Sequence, residues 1–217
     1  MARTGIHAAA VLGLALCLLA GSCVEPQKAE DPQQLVADGW NAYRLADFAR
    51  AVASFQAAAA RTPERSDTHL QALYGLATTW NLRSPDADTG KAEAVFRRVV
   101  EQAPEHDLAA WSLLALARMK HLVPVGKEPD YGAVRAAYQE CIDRFPGHLA
   151  GEEAFIYQQS TLVATLSPKD AARAAEALEK FVAARPHSAF FSPAHSLLAQ
   201  CYATLRQPEK LLAAASR

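Results

Sequence analysis

The chain has 217 residues, a formal charge of −1 and 51% apolar residues, with alanine supplying much of that share. A chain so close to neutral, with no run of clustered Lys and Arg, is not expected to hold a nucleic-acid backbone. No segments alternate β-branched and aromatic residues between hairpin turns, so the chain reads as all-α.

Residues 1–22 open with one cation, Arg3, and continue as an apolar run from Ala8 to Ala20. The run is shorter than the roughly 20 apolar residues a membrane-spanning helix needs, and it fits the apolar region of an export signal. It ends in Ala20-Gly21-Ser22-Cys23, three small residues and then a thiol. This resembles a bacterial lipoprotein signal, which is cleaved before a cysteine that carries lipid on its sulfur. Such signals more often have Leu where Ala20 stands. The resemblance implies lipidation at Cys23; the alternative is an ordinary cleaved signal followed by a chance cysteine. Diacylglycerol plus an acyl chain exceeds the two anchors that stable attachment takes. Val24 stands where Asp commonly retains such proteins in the inner membrane, so the resemblance implies a cell-envelope location on the outer membrane, facing the periplasm. Residues 23–32 are polar and carry Pro26 and Pro32. They read as a tether of at most about 30 Å, at roughly 3.3–3.6 Å per residue.

Residues 33–217 are periodic. A helix over 33–45, with Leu35, Gly39, Ala42 and Tyr43 at helical spacing, precedes Asp47 as the cap of a second helix. That second helix carries Ala51, Phe55 and Ala58 and closes at Pro63, and versions of it return downstream. They hold Ala92, Phe96, Val99 and Pro104, then Val134, Tyr138, Cys141 and Pro146, then Ala174, Leu178, Phe181 and Pro186. The closing prolines are 41, 42 and 40 residues apart, a period that marks stacked repeats. Ser66 or Asp67 is the expected cap of the second unit, whose first helix carries Leu73, Tyr74, Gly75, Thr78 and Trp80 before a loop over 83–90. The third unit has Trp111, Leu114 and Ala115, and a loop over 122–129 before its second helix. The fourth departs from the pattern at Phe155, Gln158 and Gln159; its second helix starts with Ser167-Pro168. A fifth unit is expected from Ser192-Pro193, with Leu198, Ala199 and Tyr202, and a short closing helix from Pro208.

These helix pairs resemble tetratricopeptide repeats, with four copies and a C-terminal partial or capping copy. The resemblance implies an all-α, right-handed superhelical solenoid of antiparallel helix pairs. Phe55, Phe96, Tyr138 and Leu178 are then core, and Ala51, Ala92 and Ala174 are close helix contacts. The turns Arg144-Phe145-Pro146-Gly147-His148 and Arg185-Pro186-His187-Ser188 look like those of outer-membrane β-barrel assembly lipoproteins and Tol-Pal-associated repeat proteins.

Nothing in the chain has the spacing of a phosphate loop, a zinc protease or a nucleophile elbow. No catalytic, metal or cofactor residue is assigned, and the chain reads as no enzyme. His106, His148 and His187 follow closing prolines and read as turn residues. Cys141 and Cys201 are separated by a helix pair and read as buried free thiols. Glu152/Glu153 and Glu176/Glu179 read as carboxylates on solvated faces. On successive first helices, Trp40, Tyr43, Arg44, Thr79, Trp80, Met119 and Lys120 form the expected partner-binding groove, with packing between helices as the other reading for the tryptophans. Arg44 and Lys120 would steer an acidic ligand. The repeat family's clamp for a terminal carboxylate is not expected, because Val36, Ala72 and Ser112 stand where its Lys and counterparts belong. The expected function is a lipid-anchored, non-catalytic scaffold for another envelope protein or peptide. The alternative is a component of an outer-membrane protein assembly or secretion machine.

Overall fold

The computed structural model describes residues 30–82 and 88–216. The signal, Cys23, most of the tether and residues 83–87 lie outside the described residues. The described residues form ten helices and no strand: α1 (Pro32–Arg44), α2 (Phe48–Ala60), α3 (Asp67–Leu82), α4 (Thr89–Gln102), α5 (Asp107–His121), α6 (Tyr131–Arg144), α7 (Leu149–Val163), α8 (Pro168–Ala184), α9 (Phe191–Thr204) and α10 (Pro208–Ala215).

Each helix packs on its chain neighbours, and successive odd-numbered helices also pack on one another, whereas the even-numbered helices stand apart, α8 and α10 meeting through the Lys210–Glu179 ion pair at 3.3 Å. A row of helices in mutual contact, backed by a row held apart, must curve with the first row inside. The odd helices therefore line the inner side. This is a helical solenoid, with contacts only between near neighbours. The exposed face of α1 is mostly polar, with Gln33, Gln34 and Asn41 beside Ala37, and Gln34 donates to Asp38.

The second helices show how closely the elements meet. Phe55 is completely buried, and its ring lies against both Gly39 on α1 and Gly75 on α3. A Cβ at Gly39 would stand 2.6 Å from Phe55 Cε1, and one at Gly75 would stand 2.5 Å from it. Phe96, Tyr138 and Leu178 are buried at the corresponding places, and Ala51, Ala92 and Ala174 are fully covered. The Tyr138 ring stacks on Tyr157 of α7, at 5.9 Å between centroids. Gly151 has a different reason to be small: a Cβ there would come within 2.2 Å of the Phe145 carbonyl oxygen, which is backbone and cannot swing away.

Caps set the helix starts. Asp47 accepts from Arg50 N at 3.2 Å, Asp88 from Lys91 N at 2.9 Å and Asp130 from Gly132 N at 2.9 Å. Ser66, rather than Asp67, caps α3, its hydroxyl accepting from His69 N at 3.3 Å. The tight turns after α1 and α9 close with a left-handed residue, Ala46 (φ 61°) and Arg206 (φ 56°). In each the next amide reaches back to the helix, Asp47 N to Ala42 O and Gln207 N to Tyr202 O.

Two expected boundaries move. Thr89 and Gly90, expected in the loop over 83–90, are the first turn of α4, because Asp88 caps two residues earlier. The fifth unit starts at Phe191 rather than Ser192-Pro193. Pro193 is accommodated because first-turn amides need no partner within the helix. The loop over 122–129 is confirmed, with Gly126 at φ 86°.

Gly75→Ala should lower stability. Forcing a methyl against a buried ring costs about 1–3 kcal/mol, whereas alanine's helix propensity returns at most about 1 kcal/mol. A net loss of about 1–2 kcal/mol in urea unfolding is expected, recovered in part by adding Phe55→Leu. Unchanged stability in Gly75→Ala would mean the helices do not meet this closely.

Candidate partner-binding surface

On the inner side a groove of about 600 Å³ opens between α3 and α5, bounded by the start of α4 and by the loop after α5. Tyr74, Thr78 and Asn81 come from α3, Met119 and Lys120 from α5, and Leu122 from the loop. Thr78 turns its hydroxyl back to Tyr74 O at 2.8 Å, as a threonine within a helix can. The groove's volume is in the range of ordinary ligand sites, about 300–1,000 Å³.

The groove's charges are mostly neutralised. Arg118 lies 3.6 Å from Glu153 on α7 and 5.3 Å from the centre of the Tyr157 ring. Glu93 takes two bonds from Arg97. Lys120 is exposed and has no carboxylate partner among the described residues. Burial raises the Tyr74 hydroxyl's pKa above its ordinary value, so the phenol stays protonated and able to donate. Leu122 is 62% exposed at the rim, an apolar side chain left to solvent.

Of the seven residues expected in the groove, the structure brings Met119 and Lys120 into it. Thr79 is a correction: it is completely buried and its hydroxyl donates to Gly75 O at 2.8 Å, so it reaches no ligand. Trp40 is half-buried, edge-on to Phe55 at 5.1 Å and to Tyr43 at 5.6 Å, and Tyr43 in turn meets Phe48 at 6.0 Å. Tyr43 and Phe48 belong to the packing between α1 and α2, while Trp40 also meets the groove residue Tyr74 of α3 at 6.4 Å. Trp80 is half-buried and bridges the apolar clusters on either side of α3, with Lys91 Nζ 5.8 Å from its ring. Arg44 is exposed and donates to Asn41 Oδ1. Tyr74, Asn81 and Leu122 were missed as groove residues. The stretch Tyr74, Thr78, Asn81 has helical spacing, and that polar-rimmed stripe was the signal that could have found them.

The groups with chemical potential are engaged in holding the fold. His106 and His148 are the caps of α5 and α7, each accepting a backbone amide at Nδ1, from Leu108 and Ala150, at 3.0 Å. Their Nε2 atoms lie 3.6 and 3.7 Å from Asp67 and Asp107, the first residues of the preceding inner helices. Glu152 pairs with Arg185 at 3.2 Å, Glu176 with Lys180 at 2.6 Å. Glu179 accepts from Tyr202, which holds its carboxyl below the ordinary carboxylate pKa. Cys141 and Cys201 are buried free thiols, pushed up to about 12 and about 11 by burial, and so are inert. Among the described residues no group of three or more His, Cys, Asp or Glu is placed to hold a metal ion.

No family model matches the chain, and no curated protein matches it. Solved structures do. A putative kinesin light chain with nearly identical TPR-like repeats, from Podosopora anserina, is 16% identical with a TM-score of 0.60. The match covers 86% of this chain and 94% of that one. A thermophilic TPR protein of Thermus thermophilus is 16% identical with a TM-score of 0.54, over 86% of this chain and 89% of that one. The fold is a tetratricopeptide-like solenoid. At this identity the likeness speaks for the fold alone.

At the groove's far side, His121 ends α5 and its Nδ1 lies 3.1 Å from the hydroxyl of the buried Tyr138. Burial holds the His121 pKa below its ordinary 6.5. As pH falls the unfolded chain therefore takes up this proton first, and the stability His121 contributes is complete above about pH 6.5 and declines below it. His121→Gln, which keeps a partner for Tyr138 but does not titrate, should lose less melting temperature between pH 7.5 and pH 5.5 than the parent. Equal losses in the two proteins would remove His121 from this role.

Proposed function

We propose that this protein is a non-catalytic scaffold that holds a peptide segment of a protein partner on its inner side. The observation that carries this reading is the groove between α3 and α5: a floor of apolar side chains, unpartnered Lys120 at its margin, and exposed Leu122 at its rim. Apolar surface left open between packed helices is a favoured place for a partner's side chains, and a cation beside it sets orientation more than affinity. The solved TPR-like structures support it as a fold suited to such a surface. A catalytic reading has little to draw on, since His106 and His148 cap helices and Glu152 and Glu176 are tied to cations.

The groove assignment is open to a direct test. Thr78→Arg places a long side chain in the groove from a half-buried position on its α3 wall. Melting should be nearly unchanged, while photo-crosslinking from position 81 in cells should lose its attached protein. A crosslink from position 81 that survives Thr78→Arg would sink the groove as the contact.

The scaffold is further proposed to be anchored at the cell envelope by lipid on Cys23. Ala20-Gly21-Ser22-Cys23 supports this, together with the polar stretch that separates Cys23 from α1. Cys23→Ser should move the protein to the soluble envelope fraction or leave an uncleaved precursor. A processed Ser variant that still fractionates with membranes would contradict the anchor. Service within an outer-membrane assembly machine remains the alternative, which co-purification of a β-barrel protein from cross-linked cells would favour.

A further inference from the structure

The outer side of the solenoid carries a second kind of opening. Because the backbones of even-numbered helices stand apart, crevices open between them, floored by the odd helix in between, as between α4 and α6 and between α6 and α8. Two of these crevices can be compared directly. The one between α4 and α6 has an apolar floor, Leu113, Leu116 and Ala117, and walls that carry both signs of charge, including Arg97, Glu101 and Glu140. The one between α6 and α8 has two parts that meet at Ala177: an apolar one with Phe155 and Phe181, where Glu152 pairs with Arg185, and a polar one of about 450 Å³ lined by Arg135, Gln139, Gln158, Gln159, Leu162 and Arg173, with two guanidinium groups and no carboxylate in its own lining.

The difference in floor comes from two positions. In α3 the residues after Gly75 are Leu76 and Ala77, and in α5 the residues after Ala115 are Leu116 and Ala117, all buried. In α7 the residues after Tyr157 are Gln158 and Gln159. Gln159 is 4% exposed, an amide where the neighbouring repeats bury alanine. A buried amide is tolerable only when its bonds are made. Here they form a relay: Gln159 Nε2 donates to Gln158 Oε1 at 3.0 Å, and Gln158 Nε2 donates to Gln139 Oε1 at 2.9 Å and to Arg135 O at 3.1 Å. Gln139 Nε2 then donates to Asp143 at 2.8 Å. The relay fixes the orientation of each amide and ties α7 to α6. At its head the Gln159 carbonyl oxygen accepts no bond within the protein among the described residues.

The cations are not equivalent. Arg173 is 3.6 Å from Asp170 on its own helix, whereas Arg135 has no carboxylate partner among the described residues. A local departure from the repeat pattern, with polar groups placed in register and a guanidinium left uncompensated, is what a built polar site looks like and what a merely stacked repeat does not need. We propose that the α6–α8 crevice binds a small hydroxylated ligand bearing one oxyanion group, a carboxylate or a phosphate. Arg135 takes the anion, Arg173 supports it, and the oriented Gln158–Gln159 floor receives the hydroxyls. This site faces outward, away from the groove between α3 and α5, and does not depend on the scaffold reading.

Calorimetric titration of the full-length protein with D-glucuronate, glucose 6-phosphate and glucose tests it. At least one of the two anionic sugars should bind and neutral glucose should not; the tighter of the two anions identifies whether the source is carboxylate or phosphate. Arg135→Gln should weaken that binding by about tenfold or more, as expected for losing a charge-assisted bond, with melting unchanged. Arg97→Gln, in the neighbouring crevice, should leave it unaltered. Absence of binding by both anions at millimolar concentration, equal binding of glucose, or binding indifferent to Arg135→Gln would each overturn the proposal.

Discussion

The ring of Phe55 between Gly39 and Gly75 is the contact on which the architecture depends. A helix pair can be stacked on the next only if the second helix of one unit reaches both first helices at once. Phe55 does this by entering space that two glycines leave empty, with no exposure at all. Burying an aromatic ring of this size contributes on the order of 2–3 kcal/mol, and the close approach it requires leaves no room for a Cβ. Further along, the same place is solved differently. Ala115 replaces glycine on α5, and on α7 the position is Tyr157, which stacks flat on Tyr138 rather than yielding to it. Ring and hollow are matched pair by pair, so each inter-repeat joint has its own geometry.

A second set of interactions fixes the joints along the turn edge. His148 caps α7 and reaches Asp107 at the start of α5, while His106 caps α5 and reaches Asp67 at the start of α3. Arg144 and Arg185 each donate to the carbonyl of the closing proline one unit back, Pro104 at 3.5 Å and Pro146 at 3.1 Å. The exposed ion pairs are worth little singly. Their repetition at equivalent places still limits how far one unit can rotate on the next. The arginines in the turn sequences that suggested an envelope subfamily thus have a direct structural use.

This stacking also distributes surface. Inner helices in contact leave a groove where α3 and α5 diverge, and outer helices held apart leave crevices whose chemistry varies with the repeat. Scaffolding and small-ligand recognition are therefore compatible on one chain, because the groove draws on α3 to α5 and the polar crevice on α6 to α8.

The period of the closing prolines, the capping aspartates and the rings at Phe55, Phe96 and Tyr138 were legible in the sequence, because they are set by local geometry and by a spacing that repeats. They determined the helix pairs, their order and the core. The seven-residue binding face was not legible to the same degree. Helical periodicity places Thr79, Trp40 and Trp80 on the same side of their helices as Met119 and Lys120, but only packing decides how much of that side a neighbouring helix covers. Thr79 is sealed against its own backbone and Trp40 is drawn into the Phe55 cluster, whereas Met119 and Lys120 remain where α3 and α5 part. In the same way, Gln158 and Gln159 stood out in the sequence only as a weak repeat. Their relay with Gln139, and the crevice they floor with Arg135 and Arg173, exist because α6 and α8 are held apart across α7, a distance that belongs to the tertiary structure.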